Sequence, residues 1–180
     1  MKIATAPEKI ANTTKKENVV SIFLAGGITS CPDWRTEVIA QLNKNYAADN
    51  RITILNPKRE NFDVSDTTET LRQIKWEHRA LKYCDIFGMF FCESESVQPI
   101  SLYELGKQLS YYNSVFDYNE KIMHTVIGVE EEYSRKEDVV IQSNLMGYPV
   151  DILRGSKEQR YEDFANKLIF KINSFLYPKN

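Results

Sequence analysis

Two apolar runs restrict the fold of this chain more than any other feature. Val19–Ala25 is apolar at every position but Ser21 and stops at Gly26-Gly27. Asp85-Ile86-Phe87-Gly88-Met89-Phe90-Phe91 is almost as apolar and gives way to a short polar loop. Neither run alternates. A strand with one face in water alternates, whereas a strand covered on both faces by helices does not. Both runs therefore read as buried strands of a parallel sheet, and the segments between them must supply the covering helices.

The rest of the chain fits that demand. Pro32-Asp33 starts a helix with Trp34, Val38, Leu42 and Tyr46 four apart on one face. Arg51–Leu55 is a short strand stopped by Asn56-Pro57, and a charged, irregular loop follows to Ser65. Asp66-Thr67-Thr68-Glu69 has the spacing of a capping box, with Asp in place of Ser or Thr, and opens a helix to about Cys84. Ser101 opens a third helix ending near Tyr112, and Met123–Val129 is a fourth strand. Ser134-Arg135-Lys136-Glu137 starts a helix to about Leu145, and Tyr148–Leu153 is a fifth short strand. Ser156 to Leu176 is a final amphipathic helix with Tyr161, Phe164, Leu168 and Ile172 as its apolar stripe. Met1 to Asn18 is polar and aperiodic and reads as a mobile arm, leaving residues 19–180 as one domain. Strands alternating with helices through short connections predict a parallel sheet with helices on both faces.

Composition narrows the class. With 42% hydrophobic and 27% charged residues, the 180-residue chain has the profile of a soluble globular domain with one good core. A net charge of −2 gives no polycationic surface for a nucleic-acid polymer. Cys31, Cys84 and Cys92 are odd in number and lack C-x-x-C spacing, so they read as reduced thiols of a cytoplasmic protein. The segment around Lys2, Glu8 and Lys9 has no apolar core, so no signal peptide is expected, and no run approaches the ~18 apolar residues of a membrane span.

Candidate chemistry concentrates on Ser101-Leu102-Tyr103-Glu104-Leu105-Gly106. Glu104 stands there at the start of a helix just beyond a strand's carboxyl end, where open α/β sheets place ligands. The positive helix terminus favours its ionised form, and a positioned carboxylate can be a nucleophile. Ser101-x-x-Glu104 is also the spacing of a capping box, in which the Glu only bonds back to the cap amide. Gly26-Gly27 permits close backbone approach to a ligand, and free amides at the next helix start could hold a phosphate or sugar oxygen. The same pair can be no more than a turn. Neither G-x-G-x-x-G nor G-x-x-x-x-G-K-[ST] is present, which disfavours dinucleotide-binding and ATPase readings. Glu77 falls on the stripe Ile74, Glu77, Leu81, Cys84, where a carboxylate is costly to bury unless paired or functional; otherwise it is a half-exposed edge residue. Trp76 beside it is either a stacking surface or core. Asp85 reads as a turn or cap residue, Glu93–Ser96 as a solvated loop above the site, and Arg135 and Asp138 as a local pair or part of the rim. His78 and His124 lack metal-ligand spacing, and no metal or cofactor is expected.

Taken in order, Ile22-Phe23-Leu24-Ala25-Gly26-Gly27, Leu55-Asn56-Pro57, Gln73-Ile74-Lys75-Trp76-Glu77, Cys84-Asp85-Ile86 and Pro99-Ile100-Ser101-Leu102-Tyr103-Glu104-Leu105-Gly106 resemble the nucleoside 2-deoxyribosyltransferase-like family, over roughly Val19 to Asp138. The resemblance implies a flavodoxin-like three-layer α/β sandwich with a five-stranded parallel sheet, assembled as homodimers or larger oligomers. It implies that Glu104 attacks the anomeric carbon of a 2-deoxyribosyl group, releasing the base and forming a covalent sugar–enzyme ester. A second base or water then takes the sugar, with the net retention of a double displacement. Gly26-Gly27 would lie against the sugar or its 5′ end, and Glu77 would be a polar substrate contact or proton relay. Trp76, Gln98, Ser101 and Tyr103 complete the expected substrate-binding set.

One position departs from the pattern. Six residues before the nucleophile, the family's transferases carry Asp and its nucleotide hydrolases carry Ser; this chain has Gln98. Gln can hydrogen-bond a base or a sugar but brings no charge. The alternatives that remain are a nucleotide-binding or sensing module with the same pocket and no turnover, and a plain flavodoxin-like interaction domain without a pocket ligand.

Overall fold

The computed structural model describes residues 1–8, 10, 19–63 and 65–178. Among these, strands β1 (Lys2–Thr5), β2 (Val20–Gly26), β3 (Ile52–Asn56), β4 (Ile86–Phe91), β5 (Thr125–Glu130) and β6 (Asp151–Leu153) form one sheet in the order β1-β3-β2-β4-β5-β6. Every neighbouring pair is parallel. The helices are α1 (Trp34–Tyr46), α2 (Thr67–Tyr83), α3 (Pro99–Val115), α4 (Tyr118–Met123), α5 (Lys136–Leu145) and α6 (Lys157–Leu176).

The sheet divides the core in two, giving the three layers of a flavodoxin-like sandwich. Val20, Ile22 and Leu24 of β2 pack with Trp34, Val38 and Leu42 of α1 and Phe164, Leu168 and Ile172 of α6. Phe23 and Ala25 point to the other face, with Trp76 and Ala80 of α2, Leu105 and Leu109 of α3, and Val139 of α5. Both faces of β2 and β4 are buried, which is why neither strand alternates. Ser21, the polar exception in β2, donates its hydroxyl to Asp85 Oδ2 at 2.7 Å and is thereby satisfied. Asp85, which also accepts from the Ser21 amide, ties the start of β4 to that of β2.

Several expectations are corrected. The sheet has six strands, because Lys2–Thr5, read as part of an arm, pairs with β3 at the sheet's edge. Four residues of mixed character carry no periodicity to recognise. Residues 9 and 11–18 of the expected arm lie outside the described residues. Helix α3 begins at Pro99, two residues before Ser101. Proline suits a first helical turn, and Gln98 enters it at φ 50°, a left-handed conformation that reverses the chain. Ser101 is thus inside the helix, Glu104 is in the second turn, and the capping-box account of Glu104 falls. Helix α5 starts after Arg135 with no side-chain cap, so Ser134-x-x-Glu137 is not a box either. A capping box does occur at Asp117 and Glu120, opening the short α4, which takes Met123 out of the fourth strand. Of the expected α2 stripe, Leu81 and Cys84 are buried, but Ile74 is 57% exposed, and Gln73, Trp76 and Ala80 complete the buried face instead. Arg135 and Asp138 form a local ion pair at 2.9 Å.

Candidate active site

A cavity of about 410 Å³ opens beyond the carboxyl end of β2, between the loop after β3, helix α2 and the start of α3. That position, where the strand order turns outward on both sides of the earliest central strand, is the ligand crevice of an open parallel sheet. Six of the residues singled out from sequence meet on its wall: Gly26, Gly27, Glu77, Gln98, Ser101 and Glu104. Trp76 and Tyr103 do not. The Trp76 ring is buried 6.3 Å from Phe23, and its Nε1 donates to the Glu8 carbonyl at 2.7 Å. Tyr103 points outward, 67% exposed, with Lys107 Nζ 6.0 Å from its ring.

The double-glycine turn is required by space. Gly26 has φ 144°, and a Cβ there would sit 2.3 Å from the Phe90 carbonyl oxygen. At Gly27 a Cβ would meet Cys31 Sγ at 2.3 Å and the Gln98 side chain at 2.8 Å. Beneath the turn lies Arg35, which sequence reasoning missed. Its Nε donates to Leu24 O at 2.9 Å, Nη1 to Gly27 O at 2.9 Å and Nη2 to Gly26 O at 2.7 Å. The guanidinium also stacks 4.3 Å over the Trp34 ring. Burial pulls its pKa down to about 10, so it remains a cation at neutral pH. The available signal was its spacing: Arg35 lies three and seven residues before Val38 and Leu42, on the buried face of α1.

Gln98 locks the turn from the other side. Its Oε1 accepts from the Gly27 amide at 3.0 Å, and its Nε2 donates to the Cys92 carbonyl at 2.7 Å. The side chain therefore ties the end of β2 to the end of β4, and its amide is committed to backbone rather than free for a substrate.

Glu104 and Glu77 face the same cavity from α3 and α2. Burial, and secondarily the charge of Glu77, push the Glu104 pKa up to about 7, against the opposing pull of Arg35 and Lys107. Glu77 is also raised by burial, although a hydrogen bond from Gln73 and the Arg35 charge work the other way. Gln73 Nε2 reaches Glu77 Oε1 at 2.8 Å. Among the described residues Glu104 has no hydrogen bond or ion pair, so its carboxyl is not locked away from an incoming molecule. Two carboxyl groups of raised pKa facing one cavity can divide nucleophilic and proton-donating roles between them.

The histidines are engaged elsewhere. His78 Nδ1 lies 3.1 Å from Lys107 Nζ, and His124 stacks on Phe116 at 4.2 Å with its Nδ1 2.6 Å from Asp85 O. No cluster of metal-ligating side chains occurs among the described residues. No helix among them is long and apolar enough to cross a membrane.

A protein-family model described as nucleoside 2-deoxyribosyltransferase like matches residues 19–116. The matched span runs from the start of β2 to just past α3. It takes in the glycine turn, both carboxylates and Gln98, and stops short of Asp138. No curated protein matches the chain.

Proposed function

The chain belongs to the nucleoside 2-deoxyribosyltransferase-like family, and from that premise we propose that it cleaves the N-glycosidic bond of 2-deoxyribonucleosides or their 5′-monophosphates with Glu104 as nucleophile and Glu77 as proton carrier. The observation that carries this reading is that Glu104, with no hydrogen bond or ion pair among the described residues, faces Glu77 in one cavity beside the Gly26-Gly27 turn. The cavity's volume is in the range that encloses small ligands.

The pair holds one proton, which rests mainly on the more strongly shifted Glu104, and the reactive form is the tautomer that carries it on Glu77 with Glu104 ionised. A Glu104 oxygen attacks C1′ and the bond from C1′ to the base nitrogen breaks. The bonding electrons leave with the base, which takes the proton from Glu77. The resulting ester is opened at C1′ by water or by a second base, which returns a proton to Glu77 and frees the Glu104 carboxylate. The glycine turn lets the backbone approach the sugar closely, and the Arg35 cation beneath it offsets part of the cost of ionising Glu104 in a buried setting.

Copies of the chain are proposed to meet through the exposed apolar residues of α2 and α3, among them Ile74, Ile100 and Tyr103. The contact of His78 with Lys107 brings these two helix surfaces side by side.

Incubation with a panel of deoxynucleosides and their monophosphates, with and without a free base, tests the reading by chromatography. Free deoxyribose marks hydrolysis and an exchanged nucleoside marks transfer. A compound that raises the melting temperature without being consumed favours the binding-module reading, which the commitment of Gln98 to backbone partners keeps in play.

A further inference from the structure

Two thiols flank the side chain that locks the glycine turn. Cys31 lies in the loop from β2 to α1, and Cys92 directly follows β4. Strands β2 and β4 are neighbours, with Gly26 paired to Phe90, so the two cysteines stand beyond adjacent strand ends. Both are free, and both sulfurs lie close to Gln98. Gln98 Nε2 is 3.6 Å from Cys92 Sγ and 3.4 Å from Ser94 Oγ, and Cys31 Sγ donates to that same Ser94 Oγ at 3.4 Å. A Cβ at Gly27 would meet Cys31 Sγ at 2.3 Å and Gln98 Cδ at 2.8 Å, so the Cys31 sulfur and the Gln98 amide close on one point from two sides. Cys31 also packs against the buried apolar cluster that contains Cys92.

The two thiols differ in access. Cys31 is partly exposed, whereas Cys92 is fully buried. Burial holds the Cys92 thiol protonated, and direct interaction with Cys31 adds to that effect. An oxidant therefore meets Cys31 first, with Cys92 behind it as the resolving thiol. The Arg35 guanidinium lies within electrostatic reach of both sulfurs, and a cation so placed stabilises negative charge that develops on sulfur during exchange. Cys84 has a different setting. It is buried with the cluster on the other face of the sheet, its Sγ 3.5 Å from Leu81 O and 3.8 Å from the Tyr112 hydroxyl.

We propose that Cys31 and Cys92 form a redox modification site, closed by a peroxide into a reversible disulfide that releases Gln98 from the Gly26-Gly27 turn. The Cys31 sulfur attacks one peroxide oxygen and the O–O bond breaks. The departing hydroxide takes the Cys31 proton and leaves as water, so the sulfur is oxidised to a sulfenic acid as the peroxide is reduced. The Cys92 sulfur then attacks the Cys31 sulfur and the S–O bond breaks. The leaving hydroxide takes the Cys92 proton as a second water. Two thiols and one hydrogen peroxide thus give one disulfide and two waters. Closing the sulfurs to about 2 Å draws Cys92 Sγ away from Gln98 Nε2 and ends the donation from Cys31 to Ser94. Contacts that seat the Gln98 amide are lost with them, and since Gly27 and Gln98 line the cavity, its wall changes shape. The site does not depend on the proposed reaction, because both of its readouts are taken on the protein alone.

Exposure to a slight molar excess of hydrogen peroxide, then blocking of free thiols and non-reducing peptide mapping by mass spectrometry, tests the bond. The expected product is a linked pair of peptides carrying Cys31 and Cys92, with Cys84 blocked as a free thiol and the link gone after dithiothreitol. Hydrogen–deuterium exchange in the peptide containing Gly27 should be at least about tenfold faster in the oxidised protein than in the reduced one, since the Gly27 amide loses its acceptor. Cys31→Ser and Cys92→Ser should each show neither the link nor the change in exchange. A Cys31 that stays free or passes only to sulfinic acid, a link through Cys84, or a link between copies overturns the disulfide. A Cys31–Cys92 link with unchanged exchange at Gly27 overturns the release of Gln98. Should Cys92→Ser fail to fold by circular dichroism, the unmodified protein and Cys31→Ser decide both points.

Discussion

Gln98 Oε1 accepts a hydrogen bond from the Gly27 amide at 3.0 Å, joining two residues that are 71 apart in sequence. The other end of the Gln98 side chain, Nε2, donates to the carbonyl of Cys92 just past β4, so one residue on the cavity wall joins the ends of β2 and β4. Replacing Gln98 with the Asp that the resemblance would expect removes the donor and leaves a short, buried carboxylate. Gln98→Asp should therefore lose about 2–4 kcal/mol of stability and gain no activity. Thermal denaturation beside a turnover assay checks both statements.

Arg35 holds three carbonyls around the glycine turn with one planar group. Lysine offers a point charge and cannot reproduce that fork. Arg35→Lys should cost about 2–4 kcal/mol and raise KM, since the turn would no longer be held. Arg35→Met should cost at least as much, because it strands three carbonyls beneath the site. Chemical denaturation and steady-state kinetics give the two readouts.

The pairing of Glu104 with Glu77 predicts a bell-shaped pH dependence. On the acid side both groups are protonated and Glu104 cannot attack. On the alkaline side the pair loses its last proton, so Glu77 has none to give. In Glu77→Gln the alkaline limb should vanish. The Glu104 titration should also move below about 7, because the Glu77 charge that helps to raise it is gone. Rates of kcat/KM measured from pH 4 to 9 test both the shape and the shift.

Stability should show the same raised carboxyl with a defined sign. Glu104 has a folded pKa of about 7 against a reference of 4.5, so between those values the folded chain binds more protons than the unfolded one. Its contribution is fully present below about pH 4.5 and is lost as the pH rises through about 7. Glu104→Gln removes that loss. The variant should keep the fold and be up to about 3 kcal/mol more stable than the parent at pH 8, with little difference at pH 4.5. Denaturant melts at the two pH values measure it.

Residues that answer to burial alone are legible in the sequence. The runs of β2 and β4 lack alternation because helices cover both faces, and the stripes of α1 and α6 fall where their four-residue spacing puts them. Helix starts were less so. A Ser-x-x-Glu spacing cannot tell that Pro99 and a left-handed Gln98 have already begun α3, nor that α5 does without a side-chain cap. Tyr103 and Trp76 were placed in the site by neighbourhood in sequence, but successive residues on a helix point about a quarter-turn apart, and each faces away from the cavity. Arg35 was missed because a charged residue on an apolar face reads as an edge position until the carbonyls it binds come into view. The part of the cavity wall formed by Arg59 and Gln73 depends on contacts from the loop after β3 to α2 that no local pattern carries.

The central claim is that a Glu104 oxygen bonds to C1′ of the sugar. Acid quenching during turnover of a deoxynucleoside, followed by mass spectrometry of the digested protein, tests this directly. The account predicts a deoxyribosyl adduct on the peptide that contains Glu104, absent from Glu104→Gln, in which turnover should fall at least about a thousandfold. Undiminished turnover in Glu104→Gln, with no adduct on that peptide in the parent, would contradict it.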